Sequence, residues 1–447
     1  MSNHKKQQVL PASSLAKNEH GVSERLISPN ALKVIQRLNT ANYQAYLVGG
    51  AVRDMMLGKQ PKDFDIATNA TPEQVRKLFK NARIIGRRFQ IVHVRYGREI
   101  IEVTTFRGNH DNVTATSDNA IKKQSAKNDH GMLLRDNVFG TVEEDALRRD
   151  LTINAFYYSP ETHQVHDFAD GISDLEAGTI RLIGDPAVRY QEDPVRILRA
   201  IRFAAKLGFK LEAQTAQAID DNAPLLSKIP SARLFDETGK LFGQGQAFAT
   251  WHGLAEHGLL SYLFCNAELV TQDPIARALI DQALNNTDKR LATGKSVTPA
   301  FIFAVILWPS VAKLMQEYQH DQMPAMAALH AAANQLLSAQ TQFTSIPKRF
   351  QVMVKEIWEL QLRLPQRTGQ RAYRLLEHPR FRAAYDFLLL REAAGDYPKE
   401  EELGQWWTDF QTQNSSERED AVEEANTANH YRKRGKRSTP RNRRSPR

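Results

Sequence analysis

Two aspartates separated by a single residue, Asp63 and Asp65, carry the sharpest chemical signal of this 447-residue chain. In an extended strand, residues two positions apart face the same way, so the two carboxylates would lie side by side. Two like charges this close are unfavourable unless a cation lies between them, and Mg²⁺ prefers oxygen ligands. The pair therefore predicts a site for hard divalent cations.

Two consecutive glycines, Gly49 and Gly50, precede the acidic pair, and Arg53 follows them by one helical turn. A glycine turn lets backbone N–H groups approach a phosphate chain, and an arginine neutralises its charge. Either feature alone is common in ordinary turns and solvated strand ends. In this order and spacing, they indicate a metal–triphosphate site.

The elements that must position these residues are predicted from apolar patterning and turn signals. Residues 45–48 form an apolar run that ends at the glycine turn, and residues 64–68 alternate as a strand. Capping boxes at Thr71 and Thr141 predict the starts of two helices. Further strands are predicted at 83–85, 91–96, 99–105, 153–158 and 165–168, with a flexible excursion at 108–137. The pattern predicts an α/β head built on a small mixed sheet with helices.

Beyond about residue 174 the apolar spacing is helical, which predicts an all-α neck and body. The uncharged stretch 296–312 contains two prolines and is shorter than a usual membrane span, so we expect a buried core helix there. The expected boundaries are a disordered segment 1–27, a head 28–172, a neck 173–245, a body 246–410 and a disordered tail 411–447.

The excess charge of the chain lies at its C-terminus. Lys and Arg number 60 against 51 Asp and Glu, a formal net charge of +9, and the excess lies within residues 431–447. Such a segment predicts a polyanion-binding tail, with RNA, DNA and acidic membrane as candidate partners. Its basic residues are Arg432, Lys433, Arg434, Lys436, Arg437, Arg441, Arg443, Arg444 and Arg447. The single cysteine, Cys265, excludes an intramolecular disulfide and favours a reducing, cytoplasmic compartment.

A second chemical pattern lies within a predicted helix at 187–208, where Asp193, Arg196, Arg199 and Arg202 recur every third residue. This spacing gives a slowly drifting stripe on one side of a helix. A purine needs donors and acceptors at one end, and its triphosphate needs cations at the other. A solvated basic helix face has the same pattern, so the spacing alone leaves both interpretations open.

Several motifs together resemble the class II nucleotidyltransferases, the family that comprises bacterial poly(A) polymerases and CCA-adding tRNA nucleotidyltransferases. The motifs are LVGGAVRD (47–54), KDFDIAT (62–68), EDALRRDLTINA (144–155), RLIG (181–184) and EDPVRILRAIRF (192–203). The resemblance extends from about residue 30 to 245. It implies a nucleotidyltransferase head that uses two Mg²⁺ ions, for which Mn²⁺ can substitute, and takes a nucleoside triphosphate such as ATP as substrate.

The resemblance implies roles for three acidic residues. Asp63 and Asp65 are expected to hold the metal ions, and Asp145 matches the position of the third catalytic carboxylate. Glu102 would lie beside the aspartate pair in the sheet and is the alternative third acid.

The resemblance also implies a nucleotide-binding set. The base edge is expected to meet Asp193 and Arg196, with Arg199 and Arg202 nearer the phosphates, so that protein groups replace a template. The other expected nucleotide-binding residues are Gly49, Gly50, Arg53, Arg148, Arg149, Asp150 and Asn154.

Three features favour the poly(A) polymerases over the CCA-adding enzymes, which share the same head. Residues 84–94 resemble a signature of bacterial poly(A) polymerases, and residues 231–237 with the long helical body resemble their downstream region. A basic tail suits an enzyme that must hold many unrelated RNA 3′ ends.

We therefore expect template-independent addition of AMP from ATP to RNA 3′ ends, with release of pyrophosphate, in mRNA polyadenylation and RNA turnover. A CCA-adding tRNA nucleotidyltransferase is the main alternative, and a nonenzymatic RNA-binding protein is a weaker one. The expected partners are RNA 3′ ends, bound by the body and the tail, ATP, and RNA-turnover proteins. We expect a monomer without integral membrane association.

Overall fold

The computed structural model describes residues 13–86, 90–108, 125–127, 133–136, 138–398 and 402–437. The chain divides into two compact units, Met1–Lys228 and Ile229–Arg447. This division splits the predicted neck, 173–245, because its last helix belongs to the second unit. The boundaries of head, neck and body stay predictions.

The strands of the first unit form the mixed sheet predicted for the head. Their bounds are β1 Ser13–Leu15, β2 Ala45–Val48, β3 Asp65–Thr68, β4 Ala82–Ile85, β5 Ile91–Tyr96, β6 Glu99–Thr105, β7 Ser125–Lys127, β8 Leu133–Asp136, β9 Phe156–Ser159, β10 Gln164–Asp167, β11 Thr179–Ile180 and β12 Lys210–Leu211. Eight of them form one sheet in the order β1-β10-β9-β2-β3-β6-β5-β4. Only the β3–β6 pair in that sheet is parallel.

Five of the eight described helices of the first unit begin at a residue whose side chain caps the helix. They are α1 Pro29–Thr40, α2 Gly50–Met56, α3 Pro72–Leu78, α4 Val142–Leu147, α5 Gly171–Ala177, α6 Pro186–Glu192, α7 Val195–Leu207 and α8 Ala213–Asn222. Both predicted capping boxes are confirmed, because the Thr71 and Thr141 hydroxyls each accept a hydrogen bond from the backbone three residues later. Short 3₁₀ turns lie at Glu24–Leu26, Thr152–Asn154 and Ala223–Lys228.

A buried apolar cluster fixes α4 on the sheet. Val142 and Ala146 of α4 pack with Val48, Ala67 and Tyr157 from strands β2, β3 and β9. Burial of such side chains stabilises the contact by roughly 1.5–3 kcal/mol for each large one. The segment that follows α4, residues 148–154, is thereby anchored beside the strands that carry the glycine turn and the acidic pair.

The second unit is helical, as predicted for the body. Its helices are α9 Ser231–Phe242, α10 Ala247–Glu256, α11 Ala267–Gln272, α12 Pro274–Ala292, α13 Pro299–His320, α14 Ala325–Gln340, α15 Lys348–Arg363, α16 Gln370–Leu376, α17 Phe381–Ala394, α18 Leu403–Thr412 and α19 Ser415–Arg437. Within the described residues, α13 is the one helix long and apolar enough to cross a membrane. Nine of its residues between Ala300 and Val311 are buried, so the predicted core helix is confirmed.

The prediction of disorder at the N-terminus is wrong for residues 13–27. Strand β1 pairs antiparallel with β10, and His20 and Ile27 are buried. The His20 ring lies 5.7 Å from the Tyr158 ring and its Nε2 is 3.0 Å from the His163 carbonyl oxygen. Backbone pairing to an edge strand needs no hydrophobic periodicity, which is why the polar sequence gave no signal.

The prediction of a disordered tail from residue 411 is wrong as far as residue 437. Helix α19 covers most of this segment, and Val422 joins the apolar cluster around Trp407 and Phe410. The Arg418 side chain donates to the carbonyl oxygens of Phe410 and Gln411 at 2.8 and 3.0 Å. Acidic residues lie near the N-terminal end and basic residues at the C-terminal end, the distribution that the helix dipole favours.

The helix predicted at 187–208 is two helices, α6 and α7. Asp193, between them, is extended with φ −149° and ψ 93°, and Pro194 follows. Proline lacks an N–H group and disfavours helical geometry at the residue before it. The predicted stripe therefore loses its first member, because Asp193 lies outside the helix that carries Arg196, Arg199 and Arg202.

Much of the excursion predicted at 108–137 lies outside the described residues. Strands β7 and β8, within it, pair antiparallel. The two ends of the excursion are joined, because Gly108 N donates to Val138 O and Gly140 N donates to Phe106 O.

Candidate active site

The two aspartates are exposed at the start of β3. Asp65 is the first residue of the strand, and Asp63 precedes it by two positions. Asp65 is paired with Val48 of β2, the residue directly before the glycine turn. The sheet thus brings the acidic pair and the glycine turn together, as the sequence predicts.

Glu102 of β6 lies directly beside Asp65, because β3 and β6 run parallel with these two residues in register. Desolvation together with the charges of Glu102 and Asp63 raises the pKa of Asp65 to about 6, against the opposing charge of Arg149. Three carboxylates thus crowd one edge of the sheet. An oxygen-rich, mutually repelling set of this kind fits a hard divalent cation.

The acidic edge is not a closed metal cage. Within the described residues, no group of three His, Cys, Asp or Glu side chains is arranged to hold a metal ion by itself. The oxygen-only donor set suits Mg²⁺ or Mn²⁺, and an ion of that kind usually takes further ligands from phosphates and water.

Asp145, the acid expected at the third catalytic position, lies in a different environment. It is buried on α4, and its carboxylate accepts hydrogen bonds from Tyr157 Oη at 2.5 Å, Arg107 N at 3.0 Å and Arg149 Nη2 at 3.3 Å. These protein donors engage both carboxylate oxygens. The geometry is that of a residue that positions Arg149 and Tyr157.

The glycine turn works differently from the sequence expectation. The Gly49 N–H donates to the Phe156 carbonyl oxygen of β9 at 3.1 Å, so this N–H group is already hydrogen-bonded within the sheet. Gly49 has φ +70°, and a Cβ added there would lie 3.2 Å from Arg149 Nη1. Glycine is therefore required here for backbone conformation and for the space that Arg149 occupies.

A Gly49→Ala variant is expected to raise the KM for ATP several-fold and to lose about 1–2 kcal/mol of unfolding free energy, because alanine strains the backbone and displaces Arg149. Gly58→Ala is the matched control: its φ is +69°, and its Cβ would contact nothing within 4 Å. Thermal melting and ATP titration of both variants test the prediction. An equal KM in both variants would contradict the role given to Gly49.

Arg53, predicted at the triphosphate, is buried beneath the turn. Its Nε and Nη2 donate to Asp54 Oδ1 at 2.9 and 2.6 Å, and its Nη1 donates to Asn154 Oδ1. Its guanidinium also lies 5.1 Å from the centroid of Phe203. The structure therefore places Arg53 as a support for Asn154, and the prediction of direct phosphate contact gains no support from its geometry.

The segment after α4 brings the other predicted nucleotide-binding residues together. Arg149 is held over the Tyr157 ring at 5.0 Å and donates from Nε to Tyr157 Oη at 2.8 Å. Arg148 Nη1 donates to the Gly108 carbonyl oxygen. The Asp150 carboxylate accepts from Asn154 Nδ2 at 3.3 Å and from Leu151 N at 2.9 Å.

An ion pair links this segment to helix α7. Arg199 Nε donates to Asp150 Oδ2 at 2.6 Å. Burial raises the pKa of Asp150, but the Arg199 guanidinium outweighs it and holds that pKa well below its usual range. Arg199 and Asp150, predicted from separate motifs, therefore form one charged pair.

The other arginines of α7 are held by protein groups. Arg196 Nη1 donates to the Arg189 carbonyl oxygen at 2.7 Å and to Glu192 Oε2 at 3.0 Å. Arg202 is buried, and its guanidinium lies 4.5 Å from the Phe203 ring centroid. Asp193 Oδ1 accepts from Val195 N at 3.3 Å. The alternative interpretation of this stripe as a solvated basic face therefore does not hold for Arg196 and Arg202, which are packed.

Sequence reasoning missed three residues that organise the site. Phe203 lies under the guanidiniums of Arg53, Arg199 and Arg202, at 4.5 to 5.7 Å. Tyr157 bridges Asp145 and Arg149. The Arg189 Nη2 donates to the carbonyl oxygens of Arg148 and Arg149 at 2.7 and 2.6 Å. Phe203 follows the arginine stripe directly, which is the one signal that could have marked it.

The predicted RNA-binding residues of the tail fall in two parts. The backbone of Arg432, Lys433, Arg434, Lys436 and Arg437 belongs to α19. Arg441, Arg443, Arg444 and Arg447 lie outside the described residues. Their role in RNA binding stays a prediction.

Family models match three parts of the chain. Residues 45–181 match the poly A polymerase head domain, and residues 208–269 match a probable RNA and SrmB-binding site of polymerase A. Residues 321–445 match the polymerase A arginine-rich C-terminus. The first match contains the glycine turn, the acidic residues and the segment after α4.

Comparison with known proteins distinguishes the poly(A) polymerases from the CCA-adding enzymes as relatives of this chain. Poly(A) polymerase I of Salmonella typhimurium is 47% identical over 401 residues, 89% of this chain and 85% of that protein. A CCA-adding enzyme of Lactobacillus helveticus is 39% identical over 212 residues, only 47% of this chain and 49% of that protein. A solved structure described as a tRNA-processing enzyme in an apo form superposes with a TM-score of 0.59 over 91% of this chain and 99% of that chain, at 22% identity. That last likeness establishes the fold alone.

The match to poly(A) polymerase I spans 401 residues and therefore includes most of the helical second unit, whereas the match to the CCA-adding enzyme spans 212 residues, less than half of this chain. The expected preference for the polymerase branch is therefore confirmed. The chain belongs to the poly(A) polymerase family of class II nucleotidyltransferases.

Proposed function

We propose that this protein adds AMP from ATP to RNA 3′ ends without a template and releases pyrophosphate. One observation carries the proposal: the similarity to poly(A) polymerase I runs through the catalytic head and on through most of the second unit. The crowded carboxylates beside the glycine turn supply the acidic centre that nucleotidyl transfer requires.

We assign metal binding to Asp63 and Asp65, with Glu102 as the third acid in place of Asp145. Glu102 lies in register with Asp65, its charge acts on it and its Oε1 lies 3.3 Å from His93 Nε2, whereas both oxygens of the Asp145 carboxylate accept hydrogen bonds from protein donors. We propose Mg²⁺ as the ion, with Mn²⁺ as a substitute. The chemistry supplied by a bound ion is a lowered pKa of the RNA 3′ hydroxyl and neutralisation of charge on the leaving pyrophosphate.

The protein's own groups position the nucleotide. Arg149 lies close enough to Asp65 to lower its pKa and is fixed by Tyr157 and Asp145, so it presents a preorganised positive charge at the acidic edge. The Asp150–Arg199 pair joins this edge to helix α7. Catalysis is then mainly positioning and electrostatic stabilisation.

Choice of adenine is assigned to the junction of α6 and α7. Asp193 is partly exposed there, and Arg196 is held by Glu192 and the Arg189 carbonyl oxygen. A carboxylate acceptor next to a fixed guanidinium donor can read the edge of a purine. Protein side chains would thus take the place of a template base.

The experiment that tests the function measures incorporation from each of the four labelled nucleoside triphosphates, with Mg²⁺, onto an unstructured RNA and onto a tRNA lacking its terminal CCA. We expect long extension with ATP alone on both RNAs. Addition limited to C, C and A on the tRNA would establish the CCA-adding activity instead.

We also propose a cytoplasmic location and action on diverse RNAs together with RNA-turnover proteins. The single cysteine favours a reducing compartment. The basic residues at the end of the chain suit contacts to RNA backbones of any sequence.

A further inference from the structure

The second unit contains a cavity of about 590 Å³ between helices α12, α13, α15 and α17. This volume lies within the range of small-ligand pockets, roughly 300–1,000 Å³. All of its lining residues lie between Gln282 and Ala393. The acidic edge and the arginines of α7 take no part in it.

One side of the cavity is apolar. Phe301, from the first turn of α13, and Met353, from α15, are only partly buried there, beside Ile357, Leu389 and Leu390. A partly exposed aromatic ring next to flexible apolar side chains offers a stacking surface for a flat ring system.

The other side of the cavity is positively charged. Its ionisable lining residues are Arg290, Arg380 and Arg382 with one carboxylate, Asp386. Arg380 is ion-paired with Glu356 at 3.1 Å and Arg382 with Asp386, so Arg290 is the cation in excess. The cavity also meets the start of α13, a 22-residue helix whose dipole adds positive potential at that end. The surplus of positive charge favours an anionic ligand.

The Asp386 carboxylate competes with such a ligand for Arg382. Its Oδ1 lies 2.9 Å from Arg382 Nη2, and its Oδ2 accepts from Arg382 Nε at 3.1 Å. Burial raises the pKa of Asp386, against the opposing charges of Arg382 and Arg290. The carboxylate therefore engages a guanidinium that an external phosphate would otherwise meet.

We propose that this cavity binds one nucleotide of single-stranded RNA, with the base against Phe301 and Met353 and the phosphate at the arginine rim. A free nucleotide shares this chemistry, and the strand is favoured because the rim carries exposed cations, with Arg382 65% exposed, that a continuing RNA backbone can follow. The assignment rests on the proposed function, since it takes RNA to be the substrate of this protein.

Binding of a fluorescent oligo(A) to the full chain, by anisotropy in EDTA so that no extension occurs, tests the proposal. Ala383→Trp fills the cavity and is expected to weaken binding by about fivefold or more, the range of one lost base stack. Asp386→Asn removes the competing carboxylate and is expected to strengthen binding about threefold. A gain in affinity cannot arise from misfolding, so the second variant keeps the test decisive if the first is unstable.

Matched controls carry the same substitutions outside the cavity lining. Ala339→Trp lies on an exposed position of α14, and Asp409→Asn on an exposed position of α18. Cavity variants that bind oligo(A) like these controls would overturn the proposal. AMP that binds wild type but not Ala383→Trp, with oligo(A) binding unchanged, would assign the cavity to a free nucleotide and overturn it as well.

Failure of the proposed function can be distinguished from failure of the cavity assignment. If wild type extends no RNA with ATP, the function itself is wrong. If wild type extends RNA and the cavity variants match their controls, only the cavity assignment is wrong.

Discussion

An Asp65→Asn variant is expected to lose AMP incorporation by about a thousandfold or more, roughly 4 kcal/mol of transition-state stabilisation. Asp65 is the acid on which the charges of Glu102, Asp63 and Arg149 all act, so its carboxylate is the centre of the acidic edge. The amide keeps the shape of the side chain and removes the charge. Initial rates with saturating ATP and a divalent ion measure the loss.

The stability of Asp65→Asn in the absence of metal should increase, although its activity falls. A carboxyl group whose pKa is raised on folding, here to about 6, disfavours the folded state once it ionises. Wild type without metal should therefore be less stable than Asp65→Asn above pH 6, and the difference should vanish as the pH falls below about 4. Melting curves in EDTA across this pH range test the sign.

Asp221→Asn, on the exposed surface of the same unit, removes the same charge and serves as the control. It should retain full activity and show no such pH-dependent gain. An Asp65→Asn variant that keeps activity within tenfold of wild type would remove Asp65 from the site.

Local signals explain which parts of the fold could be predicted from the sequence. The capping boxes at Thr71 and Thr141, the strand before Gly49 and the apolar run of α13 each depend on neighbouring residues, and the structure has them where predicted. The break before α7 was also local, since Pro194 disfavours a helical Asp193, but the three-residue spacing concealed it.

Long-range pairing explains what the sequence could not supply. Glu102 lies beside Asp65, where the sequence analysis expects it, but the parallel register of β3 and β6 that puts it there is contained in no pattern within either strand. The same holds for Arg53, whose partner Asn154 lies 101 residues later, and for Val422, which is buried by residues of α18. The sequence predicts Arg53 at the triphosphate and Val422 in a disordered tail, and tertiary contacts place both side chains in buried positions instead.

A comparison of Glu102→Gln with Asp145→Asn is expected to separate metal binding from positioning. Glu102→Gln should lower the rate about a hundredfold and raise the divalent-ion concentration needed for half-maximal activity, because it removes a charge from the acidic edge. Its melting temperature in EDTA should change little, since relief of repulsion with Asp65 is offset by loss of the contact between Glu102 and His93 at 3.3 Å.

Asp145→Asn is expected to lose stability and to keep its divalent-ion requirement. Asp145 is buried and accepts hydrogen bonds from Tyr157, Arg149 and the Arg107 backbone, so the amide should cost about 1–3 kcal/mol of unfolding free energy. The loosened Arg149 should raise the KM for ATP, while the divalent-ion requirement stays as in wild type.

Direct Mn²⁺ binding, followed by electron paramagnetic resonance without substrate, gives a readout that does not depend on turnover. Weaker binding in Glu102→Gln and unchanged binding in Asp145→Asn would agree with the sheet geometry, and Glu143→Gln, an exposed acid on α4, is the matched control for charge loss. If instead Asp145→Asn melts like wild type and loses Mn²⁺, the third carboxylate is Asp145. In that case the ion would take the acceptor position that Arg107, Tyr157 and Arg149 leave on the carboxylate or would displace one of these donors, because a carboxylate offers about four such positions.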